Sequence, residues 1–264
     1  FMKKKILVTR KLLIENEEKL KELFDVKLNN KDELYTSDKI LELSKDCDGI
    51  LSAITDQFNK DLIEKLSPSV KIIANFAVGF GNIDIDAAAK KNIVVTNTPE
   101  VLDDSTADIA ILLLLGASRK VLEARRAAEL QNWKWSADFM LGKQMSNKRL
   151  GILGMGRIGR AVAKRARGFN MEIHYHNRSQ LSKELEQGAI YHKTVKDLFN
   201  CSDFLSINCP ATKETNKIIN KETIAFLPDN VVIGNAARGD VVDDEAMIEA
   251  LKSEKVFAFG LDVY

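Results

Sequence analysis

Cysteine is scarce in this chain, and its three copies, Cys47, Cys201 and Cys209, form no Cys-x-x-Cys pair. An odd and scattered set offers no disulfide framework. Histidine is as sparse: His174, His176 and His192 are the three present, and no sequence spacing ties them to the cysteines as a zinc site would. No metal is expected, and a reducing, cytoplasmic setting is. A surplus of charge is also missing, since 39 Lys and Arg face 38 Asp and Glu. A net charge of +1 leaves no electrostatic footprint for nucleic acid or an anionic surface. Long hydrophobic runs are absent too. The longest, Ile109 to Leu115, falls far short of the ~20 residues that span a bilayer, so no membrane association is expected. The start, Met2-Lys3-Lys4-Lys5-Ile6-Leu7-Val8, has the charged head of a signal peptide, but its apolar part runs at once into Thr9, Arg10 and Lys11. It reads as a first β-strand instead.

What remains is an ordinary globular mixture: 264 residues, 45% apolar and 29% charged, enough for about two domains. Short aliphatic runs alternate with amphipathic stretches, the pattern of an α/β protein with parallel sheets covered on both faces. In the first hundred residues the strands are expected at Lys5 to Thr9, Val26 to Leu28, Gly49 to Ala53, Ile72 to Asn75 and Ile93 to Thr96. Helices are expected at Glu15 to Leu23, Ser37 to Ser44 and Asn59 to Leu66, where apolar residues recur at three- and four-residue steps. After a break at Asn97-Thr98-Pro99, Ser105-Thr106-Ala107-Asp108 has the form of a capping box. It is expected to open a long interdomain helix closing at Arg119 and Lys120, followed by a polar loop from Gln131 to Lys148 that holds Trp133 and Trp135. A second set of strands comes after it, at Arg149 to Leu153, Glu172 to Tyr175, Phe204 to Ile207, Val231 to Gly234 and Val256 to Leu261, with a weaker one at Ala189 to His192. The expected domains are 1–99 and 100–264.

The strongest local pattern is Gly154-Met155-Gly156-Arg157-Ile158-Gly159, set between the strand Leu150 to Leu153 and a helix carrying Ala161, Ala163 and Ala166. In that context a G-x-G-x-x-G turn binds a dinucleotide. Gly154 permits the tight turn, Gly156 lets the backbone approach a pyrophosphate, and Gly159 brings helix and strand together. The helix N-terminus then offers N–H groups to the phosphates. A structural turn with no ligand is the alternative. An Asp or Glu at the end of the next strand would bind the ribose 2′-hydroxyl of NAD, but the sequence there reads His174-Tyr175-His176-Asn177-Arg178-Ser179. Arg178 can pair with a 2′-phosphate, and Asn177 and Ser179 can hydrogen-bond it. NADP is therefore expected over NAD, unless Arg178 is a solvated loop residue.

The order of pieces resembles the D-2-hydroxyacid dehydrogenase family, and within it the glyoxylate/hydroxypyruvate reductase branch. The resemblance rests on Ala74-Asn75-Phe76-Ala77-Val78-Gly79-Phe80-Gly81-Asn82-Ile83-Asp84, Ser105 to Asp108, the glycine turn, Ser206-Ile207-Asn208-Cys209-Pro210, Asn235-Ala236-Ala237-Arg238-Gly239 and Gly260-Leu261-Asp262-Val263-Tyr264. It implies a flavodoxin-like substrate domain first, a doubly wound Rossmann cofactor domain second, and an active site in the cleft between them. The N–H groups of Val78 and Gly79 would hold the substrate carboxylate, as two amides at a glycine turn can form an anion nest; a plain surface turn is the alternative. Arg238 would bind the substrate carboxylate and carbonyl, its fork suiting a planar 2-oxo acid; an ion pair with Asp240 is the alternative. Thr106, the backbone at Cys209 and Pro210, Ala236 and Asp262 match cofactor-contacting positions. A packed thiol suits Cys209 better than a nucleophile, because no base or positive field accompanies it in sequence. The tryptophans match a loop that can reach a partner's active site, or are packing anchors. A homodimer through the long helix and that loop is implied.

The family's chemistry is completed by a glutamate and, about twenty residues later, a histidine that donates the proton. This sequence stops at Tyr264, before both, and none of its three histidines matches that position. An end that cuts a motif in half favours the retained part of a longer protein. The chain as written is expected to bind cofactor and substrate but to reduce poorly. The expected activity is hydride transfer from NADPH to a small 2-oxo acid, glyoxylate or hydroxypyruvate. The rivals are an NAD-dependent phosphoglycerate dehydrogenase and a nucleotide-sensing scaffold without turnover.

Overall fold

The computed structural model describes residues 2–131 and 133–264; Phe1 and Asn132, the latter inside the expected tryptophan loop, lie outside the described residues. The chain divides into two compact units, Phe1–Leu102 and Asp103–Tyr264, a division slightly beyond the expected end at 99.

In the first unit the order is β1 (Lys5–Val8), α1 (Ile14–Leu23), β2 (Asp25–Lys27), α2 (Ser37–Ser44), β3 (Gly49–Ala53), α3 (Lys60–Lys65), β4 (Ile72–Phe76), α4 (Ile85–Lys90) and β5 (Val94–Thr96). The strands form one parallel sheet in the order β2-β1-β3-β4-β5, the flavodoxin-like arrangement. Leu7, Ile50 and Ile73 bury the strand centres, and Ile40, Phe58 and Leu62 pack with them. Short helices hold their ends by side-chain caps: Thr36, Asn59 and Asp84 accept the N–H groups of Lys39, Leu62 and Ala87 at 3.3, 3.0 and 2.9 Å. No helix was expected at α4. Its Ala87-Ala88-Ala89 core gives a weak periodic signal, although both Ala87 and Ala88 are buried.

The second unit runs α5 (Asp103–Ser118), α6 (Val121–Glu129), β6 (Arg149–Leu153), α7 (Arg157–Arg167), β7 (Glu172–His176), α8 (Lys183–Glu186), β8 (Ile190–Tyr191), α9 (Val195–Asn200), β9 (Phe204–Ile207), α10 (Lys221–Ile224), β10 (Val231–Asn235), a 3₁₀ turn (Gly239–Val241), α11 (Asp244–Lys252) and β11 (Val256–Leu261). Its parallel sheet has the order β11-β10-β9-β6-β7-β8. Counted within the unit, that is the 3-2-1-4-5-6 order of a doubly wound dinucleotide-binding sheet. The expected capping box is corrected here. α5 starts at Asp103, so Ser105 lies inside the first turn, while Asp103 and Asp104 place negative charge at the helix's positive end. The helix also stops at Ser118. Lys120, at φ 52°, turns the chain into α6, a separate helix that buries none of its residues and so left no core-facing stripe to read.

No helix among the described residues is long and apolar enough to cross a membrane.

Candidate active site

The dinucleotide turn is built where the strand order reverses, between β6 and its two neighbours. Leu153 accepts the N–H of Asn208 at 2.9 Å, and Gly154 donates to the carbonyl of His176 at 3.0 Å. The loop after β9 and the last residue of β7 thus hold the turn from both sides, at the carboxyl edge where open α/β sheets bind ligands. Gly154 has φ +93°, and a Cβ there would lie 2.7 Å from both the N and Cα of Cys209. At Gly159 a Cβ would stand 2.4 Å from the Gly154 carbonyl oxygen, so α7 closes tightly on its strand. Gly156 differs: nothing lies within 4 Å of its Cβ position. Arg160 makes the first backbone bond of α7, to Gly156 at 3.0 Å, which leaves the N–H groups of Ile158 and Gly159 at the helix start without a backbone acceptor. Open space beside Gly156, facing a helix N-terminus, fits a pyrophosphate.

Other members of the motif have structural work. The Met155 side chain is buried, and its N–H is taken by Asn177 Oδ1 at 2.7 Å, with Asn177 Nδ2 3.4 Å from the Met155 carbonyl. Asn177 was expected to face a 2′-phosphate; its side chain instead clasps the backbone of the turn. Arg157 Nε lies 3.4 Å from Asp103 Oδ2. Arg178 and Ser179 are exposed just beyond β7. The Glu214 carboxyl is held below its usual value by a hydrogen bond from Thr212, with Arg178 and Lys213 adding to the effect.

Along the same edge, Asn235 at the end of β10 is completely buried and organises the loop beyond the strand. Its Oδ1 accepts the Ala237 N–H at 3.0 Å, its Nδ2 donates to the Arg238 carbonyl at 2.8 Å, and its own carbonyl accepts the Asp262 N–H at 3.1 Å. In sequence Asn235 is only one letter of a longer motif, and this role was not anticipated. Its position as the last residue of an otherwise aliphatic strand was the available signal. Arg238 is exposed, and its Nη1 donates to the Ala237 carbonyl at 2.6 Å. It makes no ion pair among the described residues, so the pairing with Asp240 is not formed. Cys209 is buried and its thiol is pushed up to about 11 by that burial, which leaves it protonated and unreactive at neutral pH. Pro210 accepts a hydrogen bond from Thr215 Oγ1 at 2.6 Å. Thr106, on α5, and Ala236, just after β10, are half-buried.

In the first unit, the loop after β4 hangs on a buried polar network that was not anticipated. Asn75 Nδ2 donates to the Gly79 carbonyl at 2.9 Å and to Asn82 Oδ1 at 3.2 Å, while Ser52 Oγ donates to Asn75 Oδ1 at 3.1 Å. Asn82 Nδ2 donates to the carbonyls of Ala53 and Asp56 at 3.1 and 2.8 Å. From the other side, Asn97 Nδ2 donates to the Val78 carbonyl at 2.8 Å. Both carbonyls are therefore tied down, and the N–H groups of Val78 and Gly79 make no hydrogen bond among the described residues.

The expectation that histidines and cysteines form no cluster needs correction. His174, His192 and Cys201 are 18 and 9 residues apart in sequence, yet their donor atoms lie within 4.8 Å of one another. Parallel pairing sets the end of β8 beside β7, and the chain leaving α9 returns beneath them; short-spacing patterns do not capture such an arrangement.

Residues 111–264 match the model of the D-isomer specific 2-hydroxyacid dehydrogenase NAD-binding domain. Over 269 residues the chain is 38% identical to a glyoxylate reductase of Pyrococcus furiosus, covering 100% of this chain and 80% of that one. It is 37% identical over 265 residues to a glycerate dehydrogenase of Hyphomicrobium methylovorum, covering 99% and 82%. The crystal structure of a glyoxylate reductase from Paecilomyes thermophila superposes with a TM-score of 0.89 at 37% identity, covering 100% of this chain and 82% of that one. Fold, glycine turn and these likenesses agree: the chain belongs to the D-isomer specific 2-hydroxyacid dehydrogenases, enzymes that work with a nicotinamide dinucleotide.

Proposed function

We propose that this enzyme reduces small 2-oxo acids of the glyoxylate or hydroxypyruvate type, with NADPH as the preferred cofactor. The carrying observation is Arg238, a guanidinium free of any ion pair among the described residues, at the carboxyl edge of the sheet that bears the dinucleotide turn. A planar fork there can hold a carboxylate and stabilise charge that develops on a carbonyl oxygen. In the first unit, the Val78 and Gly79 N–H groups are suited to a carboxylate. Asp262, anchored through its N–H to Asn235, is assigned to the carboxamide of the nicotinamide, with Thr106, Cys209, Pro210 and Ala236 lining the cofactor. When bound, the dinucleotide supplies the hydride. The test is oxidation of NADPH by the complete protein with glyoxylate and with hydroxypyruvate; no turnover with either would refute the reading.

Cofactor choice is assigned to Arg178, because no acid stands at the end of β7 to repel a 2′-phosphate. Arg178→Ala should raise the KM for NADPH by about ten- to a hundredfold, the worth of one charge-assisted contact, and leave that for NADH unchanged. Equal values for wild type and variant would return NAD to first place.

A homodimer is proposed through the second unit's apolar surface. Leu112, Leu122, Leu130, Trp135 and Leu141 are 60 to 84% exposed, more large apolar side chains than one stretch of a monomer usually shows to water. Leu122→Asp combined with Trp135→Asp should shift the mass by sedimentation from twice 29.5 kDa to the single chain. A wild type that sediments as a monomer would end the proposal.

A further inference from the structure

The His174, His192 and Cys201 cluster lies outside everything assigned above, and its geometry is that of a ligand set. We propose that His174 Nδ1, His192 Nε2 and Cys201 Sγ form a binding site for a borderline-soft divalent cation of the zinc type, one that staples β8 and the end of α9 to β7.

Distances come first. His174 Nδ1 and His192 Nε2 are 2.9 Å apart, and Cys201 Sγ is 3.5 Å from the same His192 nitrogen. Tetrahedral zinc, with bonds of about 2.0–2.1 Å to nitrogen and 2.3 Å to sulfur, needs donor atoms roughly 3.3–3.6 Å apart. The His192–Cys201 pair already meets this, the two imidazoles need to part by a few tenths of an ångström, and Cys201 Sγ stands within 4.8 Å of the His174 donor. Two imidazoles and a thiolate suit zinc, cobalt or copper and disfavour magnesium or calcium, which take oxygen ligands.

The surroundings form the second line of evidence. His174 is only 6% exposed, and Glu172 Oε1 stands 3.0 Å from its far nitrogen, Nε2, which makes no well-directed hydrogen bond. A carboxylate behind a histidine is the usual backing of a metal-bound imidazole, and a small turn of the His174 ring towards an ion would align its Nε2–H with Glu172. The carbonyl of His192 is fixed by His176 Nδ1, which donates to it at 2.9 Å.

The remaining charges that face the cluster are Arg149, Asp197 and Asp203. Arg149 is already matched by Asp203, through Nε and Nη2 at 3.0 and 2.8 Å, so it offers limited opposition to a cation. Burial keeps both imidazoles below their ordinary range and hence neutral at pH 7, while it raises the Cys201 thiol. Binding must then release the thiol proton, and affinity should rise about tenfold per pH unit while the free thiol stays protonated.

A cobalt(II) titration of the chelator-treated protein tests the site. One equivalent should produce a thiolate-to-cobalt charge-transfer band in the near ultraviolet, and zinc(II) should abolish it. Cys201→Ser should remove the band, and His192→Asn, chosen as an independent variant, should weaken binding at least about tenfold. Zinc at about a hundred times its Kd should raise the Tm of the wild type by roughly 5 °C and that of Cys201→Ser by far less. No band, a band that survives in Cys201→Ser, or an equal thermal shift in both proteins would each overturn the proposal.

Discussion

Replacing Arg238 by alanine should lower kcat/KM for a small 2-oxo acid by about a hundred- to a thousandfold, the usual loss for one group aimed at a developing oxyanion. The fold should be unaffected. The side chain is exposed and holds only the Ala237 carbonyl, and the backbone here is fixed by Asn235 rather than by the guanidinium. Arg238→Lys keeps the charge but not the planar fork, so it should recover only a small part of the loss. Dinucleotide affinity, measured by fluorescence titration, should remain that of the wild type in both variants. An unchanged kcat/KM in the alanine variant would remove Arg238 from substrate binding. A fall in cofactor affinity alone would reassign it to the dinucleotide.

The second large effect is expected from the glycine turn, where two neighbouring glycines should behave in opposite ways. Gly154→Ala places a methyl 2.7 Å from the N and Cα of Cys209 at a residue with φ +93°. Both obstacles are backbone, so no side-chain rotation relieves them. Strain and overpacking together should cost about 3–5 kcal/mol, and a protein of this size would lose roughly 6–15 °C in Tm. Gly156→Ala adds a methyl with nothing within 4 Å at an ordinary φ of −75°. Its Tm should match the wild type while its dinucleotide affinity falls steeply, because the methyl would occupy the approach to the pyrophosphate. If both variants kept their affinity, the turn would be a structural device with no cofactor role. Differential scanning calorimetry beside a binding titration separates the two effects.

Much of the fold was legible because apolar runs of four or five residues between polar helices have few other outcomes. β3, β6, β9 and β11 fall at their expected bounds, and the remaining expected strands differ by only a few residues at their ends. α4 and α6 were missed for related reasons. Alanines in α4 carry little hydrophobic signal, and α6 buries no residue at all. The start of α5 was misplaced because Ser105 looks like a cap, whereas two aspartates ahead of it supply the favourable charge of the first turn. Polar residues at strand ends were the harder problem. Asn75, Asn177 and Asn235 all sit at or near strand ends, and Asn177 alone was expected to meet a ligand, yet each spends its amide on backbone groups of a neighbouring loop. A sequence shows that such a residue is polar and near the site, but not which way its dipole is turned. The His174, His192 and Cys201 cluster was invisible for another reason: it is made by strand pairing and a returning loop, not by spacing along one element.

The network beneath Val78 and Gly79 has a consequence for the thermodynamics of recognition. Asn75 donates to Gly79 and to Asn82 while accepting from Ser52, so flipping its amide would set an oxygen against the Gly79 carbonyl and against Asn82 Oδ1. The directions of the two free amides are thus decided when the first unit folds, and a carboxylate arriving there finds donors that need no ordering. Binding to this loop should therefore carry a small entropic penalty. On the proposed reading, discrimination between substrates should fall to groups that contact the rest of the molecule, because a rigid pair of amides would hold every 2-oxo acid by the end that all of them share.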